Sequence, residues 1–162
     1  MTTTSKFAVS EHEVLREINA SKIVNRYMLW SMGSGLIPVP LLDVGVLSVL
    51  QLKMLAALSR HYDVPFSRNL GKSLISTLVG FVTANSLRGS ILTSLMKALP
   101  YVGFLGSVSM PIYSGATTYA IGKIFVQHFE SGGTFLTFKP YKVKKYFAQL
   151  YKEGQQVASN LK

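Results

Sequence analysis

Cysteine is absent from the 162 residues. That excludes disulfides, thiolate metal sites and cysteine nucleophiles together, and it suits a reducing compartment. Charge is scarce: 15% of residues are Asp, Glu, Lys or Arg, against about 25% in an average soluble domain. Acid is scarcer than base, seven residues against 17, for a net charge of +10. Disorder is excluded by the apolar content of 48% and the mean hydropathy of +0.29, because disordered chains are polar and highly charged. A secretory leader is not expected, since MTTTSKFAVSEHEVLREI has no apolar core and no small-residue cleavage site. The length suits one domain with its own core. A chain both apolar and basic turns first to an anionic membrane surface and second to nucleic acid.

The charge is unevenly spread. Residues 1–66 hold six basic and five acidic residues, whereas residues 67–162 hold eleven basic residues and only Glu130 and Glu153 as acids. Ser10 and Glu13 read as a capping box, followed by Val14, Ile18 and Met28 at helical spacing, which predicts a helix over about 11–31 behind a flexible stretch, 1–10. GLIPVP at 35–40 cannot sit inside a helix. It is either a buried elbow between helices or the tip of a hairpin dipping into lipid. The next helix, about 41–62, is apolar nearly all round, which marks it as core or membrane-embedded. Ser67 suits the N-cap of a helix over about 67–86, and a further helical piece is predicted over about 90–98.

Residues 98–122 contain no Asp, Glu, Lys or Arg. The run is long enough to span a bilayer, but Pro100, Pro111, four glycines and many Ser, Thr and Ala residues favour a kinked or closely packed helix over about 105–130. SGG at 131–133 ends it, and Pro140 at a first helical position opens a last helix over about 140–160. There Val143, Phe147, Leu150, Gly154, Val157 and Leu161 form one stripe, flanked by Lys139, Lys142, Lys144, Lys145 and Lys152. Either the stripe packs back on the bundle, or it faces lipid while the lysines meet anionic headgroups. No strand alternation is present, so the class is all-α: one domain over 1–162, a compact bundle of about five to six helices. Its apolar part covers 11–131 and its basic amphipathic helix 140–162. Two apolar hairpins are joined by proline-containing elbows, LIPVP and ALPYVG.

Residues 29–67 resemble the YcjF-like bacterial family of unknown function, a membrane-associated domain also found fused to some small GTPases. The similarity lies in Ile37-Pro38-Val39-Pro40, Asp43, Gln51-Leu52-Lys53-Met54 and Tyr62-Asp63-Val64, then in YAIGKIFVQHFESGGTF at 119–135 and a closing YFAQLYKEG helix. The resemblance implies membrane association and a possible GTPase or other protein partner. No GTPase chemistry follows, because G-x-x-x-x-G-K-[ST] is absent.

Chemistry-bearing motifs are few. His12, His61 and His128 have no metal-ligand spacing, GSG at 33–35 follows a helix and reads as a C-cap, and no G-x-S-x-G elbow is present. No metal or cofactor is expected. Pro38, Pro40, Asp43, Gln51 and Met54 are the candidate motif residues. Asp43, alone among apolar residues, is either a first-turn acid favoured by the helix N-terminus or a functional carboxylate within lipid, paired with Lys72 or Arg88. Gln51 is expected to hydrogen-bond a neighbouring helix, and Lys53 to snorkel. The leading expectation is a non-catalytic anchor, adaptor or oligomerising module on the cytoplasmic side of the inner membrane, forming homo-oligomers. The alternatives are a transporter-like or enzymatic component using Asp43, or a nucleic-acid binder. The last is disfavoured because no arginine follows Arg88.

Overall fold

A computed structural model describes residues 3–34, 40–88 and 102–161, with side chains over 11–34, 45–82 and 110–161. Among the described residues there are five α-helices and no strands: α1 Thr3–Ser34, α2 Pro40–His61, α3 Arg68–Arg88, α4 Val102–Glu130 and α5 Pro140–Asn160. The all-α bundle is as the sequence predicts. The start of α1 is not. It is helical from Thr3, so residues 3–10 belong to the helix and Ser10 lies inside it rather than capping it. Nothing in TTSKFAVS forbids the earlier start, since neither Gly nor Pro interrupts it. The elbow residues 35–39, including Pro38, and the predicted piece at 90–98 lie outside the described residues. Pro40 is the first residue of α2, where the N–H it lacks would have no partner within the helix.

Helix α4 is the axle, and α1, α2 and α5 pack around it. Helix α1 runs antiparallel to α4: Lys123 reaches Ser21 at one level and Thr118 meets Ser31 at another. Helix α2 runs parallel to α4, with Gln51 beside Thr118 and Tyr62 beside Glu130. Helix α5 returns antiparallel, with Gly154 against Ala116 and Ala158 near Gly115. Ser67 caps α3, its Oγ accepting from Leu70 N at 3.4 Å. The helix then packs Gly71 on Leu52 and brings Phe81 edge-on to Tyr141 of α5.

The small residues of α4 allow close contact. A Cβ at Gly122 would lie 2.6 Å from Val24, and one at Gly154 would lie 2.9 Å from the Ala116 backbone. Val24, Met28, Met54, Leu55, Leu58, Ile121, Ile124 and Phe125 fill the centre with almost no exposure, each large apolar side chain contributing about 1.5–3 kcal/mol. Pro111 is accommodated within α4 and is buried.

Helices α2 and α4 end alike. In α2, Val64 N bonds Ser59 O at 2.8 Å and Asp63 N bonds Arg60 O at 3.4 Å, with Asp63 left-handed at φ 54°. In α4, Gly133 N bonds His128 O and Gly132 N bonds Phe129 O, with Gly132 at φ 77°. Both are Schellman closures, which satisfy the last carbonyls. After α4, Phe135 and Phe138 turn inward, Phe138 stacking on Phe125 at 4.5 Å. His128 Nε2 donates to Thr134 O at 2.9 Å and holds the turn in place.

Candidate membrane-contact surface

A buried polar layer crosses the bundle. Gln51 Nε2 donates to Thr118 Oγ1 at 3.4 Å, Thr118 donates to Ser31 Oγ at 2.9 Å, and Ser31 donates to Tyr27 O at 2.8 Å. All three polar side chains are buried, so each needs the partner it has. The layer links α2, α4 and α1 at one level, and Gly154 of α5 packs just beside it.

Charge divides at this layer. Beyond it lie Met32 to Ser34 of α1, Gly45 to Leu50 of α2, Met110 to Thr117 of α4 and Gln155 to Leu161 of α5, and none of these residues is charged. Of the charged residues in the described parts of α1, α2, α4 and α5, Asp43, in the first turn of α2, lies on this side and the rest lie on the other. Toward this end several large apolar side chains face outward: Leu29 and Trp30 on α1, Val46 and Val49 on α2, and Met110 on α4. Trp30 is 56% exposed, though its ring touches Tyr27 edge-on. On the side of this end formed by α5, Gln155, Gln156, Ser159 and Asn160 are exposed, and so is Leu161 just after the helix.

The opposite end is ionic. Glu13, Arg16, Glu17 and Glu130 line a cleft of about 390 Å³. Tyr62 Oη donates to Glu130 at 2.8 Å while the Arg16 guanidinium lies 4.6 Å over the Tyr62 ring. Tyr119 Oη donates to Glu153 at 2.5 Å. Burial, then the hydrogen bond to a carboxylate, holds both phenols well above the usual tyrosine range. Burial, with Tyr113 nearby, pushes Tyr151 up to about 12.

The sequence candidates separate in space. Gln51 bonds a neighbouring helix as expected, and Met54 is core, its sulfur beside Gly122. Asp43 falls in the first turn of α2, its side chain outside the described residues. Lys139, Lys142, Lys144, Lys145 and Lys152 are all exposed, and Lys139 occupies the N-cap position of α5. The stripe of α5 turns inward: Phe147, Leu150, Gly154 and Ala158 are buried and Val143 and Val157 pack partly against the core. An arrangement with Phe147 and Leu150 in lipid is therefore not the one adopted, because α4 already covers them. Sequence reading missed the outward set Leu29, Trp30, Val46, Val49 and Met110. The signal available was the absence of charge over 27–42, 44–52 and 98–122. Among the described residues no helix is long and apolar enough to cross a membrane, and no group of His, Cys, Asp or Glu is placed to hold a metal ion.

A helical bundle with outward apolar side chains toward one end and an ionic cleft at the other defines the class. Residues 3–156 match the family described as a domain of unknown function, DUF697, and the chain belongs to that family, as the Pro-x-Pro elbow and the motifs after it imply. The chain is also similar to Magnetosome membrane protein 22 of Magnetospirillum gryphiswaldense, 36% identical over 148 residues, which are 91% of this chain and 76% of the relative. No solved structure matches.

Proposed function

We propose that this protein is a non-catalytic, membrane-associated helical module that serves as an anchor, adaptor or oligomerising element on the cytoplasmic face of a membrane. The observation that carries the reading is the outward set Leu29, Trp30, Val46, Val49 and Met110, gathered on three helices toward one end of the bundle. Exposed apolar patches of this kind mark membrane or protein contacts. The relative's name, a magnetosome membrane protein, supports the membrane choice. The net charge of +10 supports the cytoplasmic side, where basic segments are retained. A GTPase or another protein partner, and self-association, belong to the same reading. The test is fractionation of cells expressing the full chain, followed by flotation of the purified protein with lipid vesicles. The expected result is recovery with membranes after a salt wash and flotation with vesicles. A monodisperse monomer that stays in the soluble fraction and floats with no vesicle would falsify the reading.

A further inference from the structure

We infer that two copies of the chain pair antiparallel through the outer face of α1, with Leu15 of one copy against Ile18 of the other and Glu11 of one against Lys22 of the other. This rests on the self-association included in the reading above and adds its surface, direction and register. The membrane contact is a separate matter and is read by a separate measurement.

The face is uncovered along its length. Helices α2 and α4 pack on one side of α1, and Ala20, Val24, Met28 and Ser31 are buried there. At about 3.6 residues per turn, Glu11, Leu15, Ile18, Lys22, Asn25 and Leu29 share the opposite side, and all are exposed. Their spacing alternates between four and three residues, which is the seam of a two-helix coiled coil. Leu15 is 53% exposed and Ile18 45%, with Val14 beside them. Lipid is the wrong occupant for this part of the seam. Glu11 stands on the same line one turn from Leu15 and would be stranded in hydrocarbon.

Charge complementarity selects a second copy and sets its direction. Glu13, Arg16 and Glu17 line the ionic cleft of their own bundle, which leaves Glu11 as the acid on the seam. Lys22 is its cation, with Nζ reaching Asn19 Oδ1 at 3.5 Å. Leu15 and Ile18 lie between Glu11 and Lys22, and all four positions are symmetric about the point between residues 16 and 17. An antiparallel pair with Leu15 opposite Ile18 therefore sets Glu11 opposite Lys22 twice. A parallel pair sets Glu11 against Glu11. Sliding the antiparallel pair by one heptad puts Lys22 on Ile18 in one direction and Glu11 on Leu15 in the other. The favoured register aligns residue 3 with residue 30, so α1 overlaps its copy over about 40 Å. The contact is the same on both copies and closes at two. Leu29 and Trp30 of the two copies then lie toward opposite ends of the pair, as an adaptor between two surfaces requires.

The chain has no cysteine, so introduced cysteines report the pairing without background. Full chains carrying Glu11→Cys or Lys22→Cys are purified, then oxidised alone and mixed. The expected result is a disulfide dimer from the mixture and little from either variant alone. In this register the two copies of residue 11 are about 16 Å apart along the axis, too far to bridge. Dimers from each variant alone and none from the mixture would mean parallel helices and overturn the inference. Light scattering over a concentration series should show a monomer–dimer equilibrium of the unaltered chain. Glu11→Lys and Lys22→Glu should each weaken it on the order of tenfold, and the two together should restore it. Leu15→Ser with Ile18→Ser should leave the chain monomeric, with its thermal melt by circular dichroism unchanged. Should that variant unfold, recovery in the charge swap decides. An unaltered chain that is monomeric throughout, or a swap without recovery, overturns the inference. Flotation with vesicles of equal parts phosphatidylcholine and phosphatidylglycerol, on the same samples, reads the membrane contact independently. Flotation lost in the Leu15 and Ile18 variant while self-association persists gives this face to lipid and overturns the pairing.

Discussion

At the ionic end of the bundle, Glu13, Glu17 and Glu130 share a cleft with Arg16, and the rings of Phe125, Phe129, Phe135 and Phe138 pack behind it. At the other end, Leu29, Trp30, Val46, Val49 and Met110 face outward from helices whose one charge beyond the polar layer is Asp43. Both ends expose apolar side chains. The difference lies in their neighbours: Val14, Leu15 and Ile18 are surrounded by carboxylates, while Leu29 and Trp30 are not. Exposure alone therefore does not mark a contact face. Apolar side chains interleaved with carboxylates cannot leave water for lipid without stranding an ion, whereas the charges one turn from Leu29, Trp30 and Val49 are the exposed cations Arg26 and Lys53.

The two ends should respond differently to truncation. Phe125→Ala removes the ring on which Phe138 stacks and is expected to cost about 3–5 kcal/mol. Trp30→Ala should change stability by less than about 1 kcal/mol while weakening vesicle binding. Urea denaturation and flotation on the same two variants measure both. Equal losses of stability would erase the distinction between an end that holds the fold and an end that meets a partner.

The contact between α1 and α4 joins the two ends, and it offers the next largest effect. Gly122→Val places atoms where Val24 already lies, 2.6 Å from an ideal Cβ. The expected cost is about 1–3 kcal/mol of overpacking, read from the urea midpoint. Val24→Ala in the same chain should restore part of it, since the clash is with that side chain. No rescue would mean that the two helices separate rather than strain.

Alkaline pH sharpens the contrast further. Tyr62 and Tyr119 are held neutral by burial and by donation to Glu130 and Glu153. Their folded-state pKa values are raised, so their contribution is complete below the unfolded value of 10.0 and is lost as pH rises through the folded values. Stability should hold up to about pH 10 and fall above it. Tyr62→Phe and Tyr119→Phe should each flatten that fall, measured as urea midpoints across the alkaline range. A fall that is equally steep in the double variant would assign it to other groups.

The smallest expected change is a gain. Asp63 sits at φ 54° where Schellman closures usually carry glycine. Asp63→Gly should stabilise by less than about 1 kcal/mol, seen as a small rise in melting temperature with vesicle binding untouched. A loss would show that the Asp63 carboxylate makes a contribution beyond its backbone position.

Much of the architecture was legible beforehand, because it follows from helical period and from residues that break it. Ser67, SGG at 131–133 and Pro140 mark boundaries that α3, α4 and α5 respect. The start of α1 was not, since a capping pair inside a permissive segment does not force a helix to begin there. Nor was the direction of the α5 stripe. Periodicity defines a face, but not whether Phe147 and Leu150 meet a helix or lipid. Gln51 was expected to bond across helices, yet nothing local pointed to Thr118 and Ser31 as its partners, which are 67 residues from Gln51 in one case and joined to it only through the fold. The outward set escaped for the same reason: Leu29 and Val46 come to share one end only after α1 and α2 fold back on each other.

The notches in α4 have a mechanical consequence. Gly115 receives Met32 and Gly122 receives Val24, while Ser31 bonds Thr118 between them. Sliding α1 along α4 by one turn, about 5.4 Å, would lift both side chains out of their notches and break the buried bond in the same movement. The pair therefore has one seated position, not a series of equivalent ones. Load applied along the long axis at either end is carried as shear through this seam, and α1 transmits it as a rigid strut until the seam gives way as a unit.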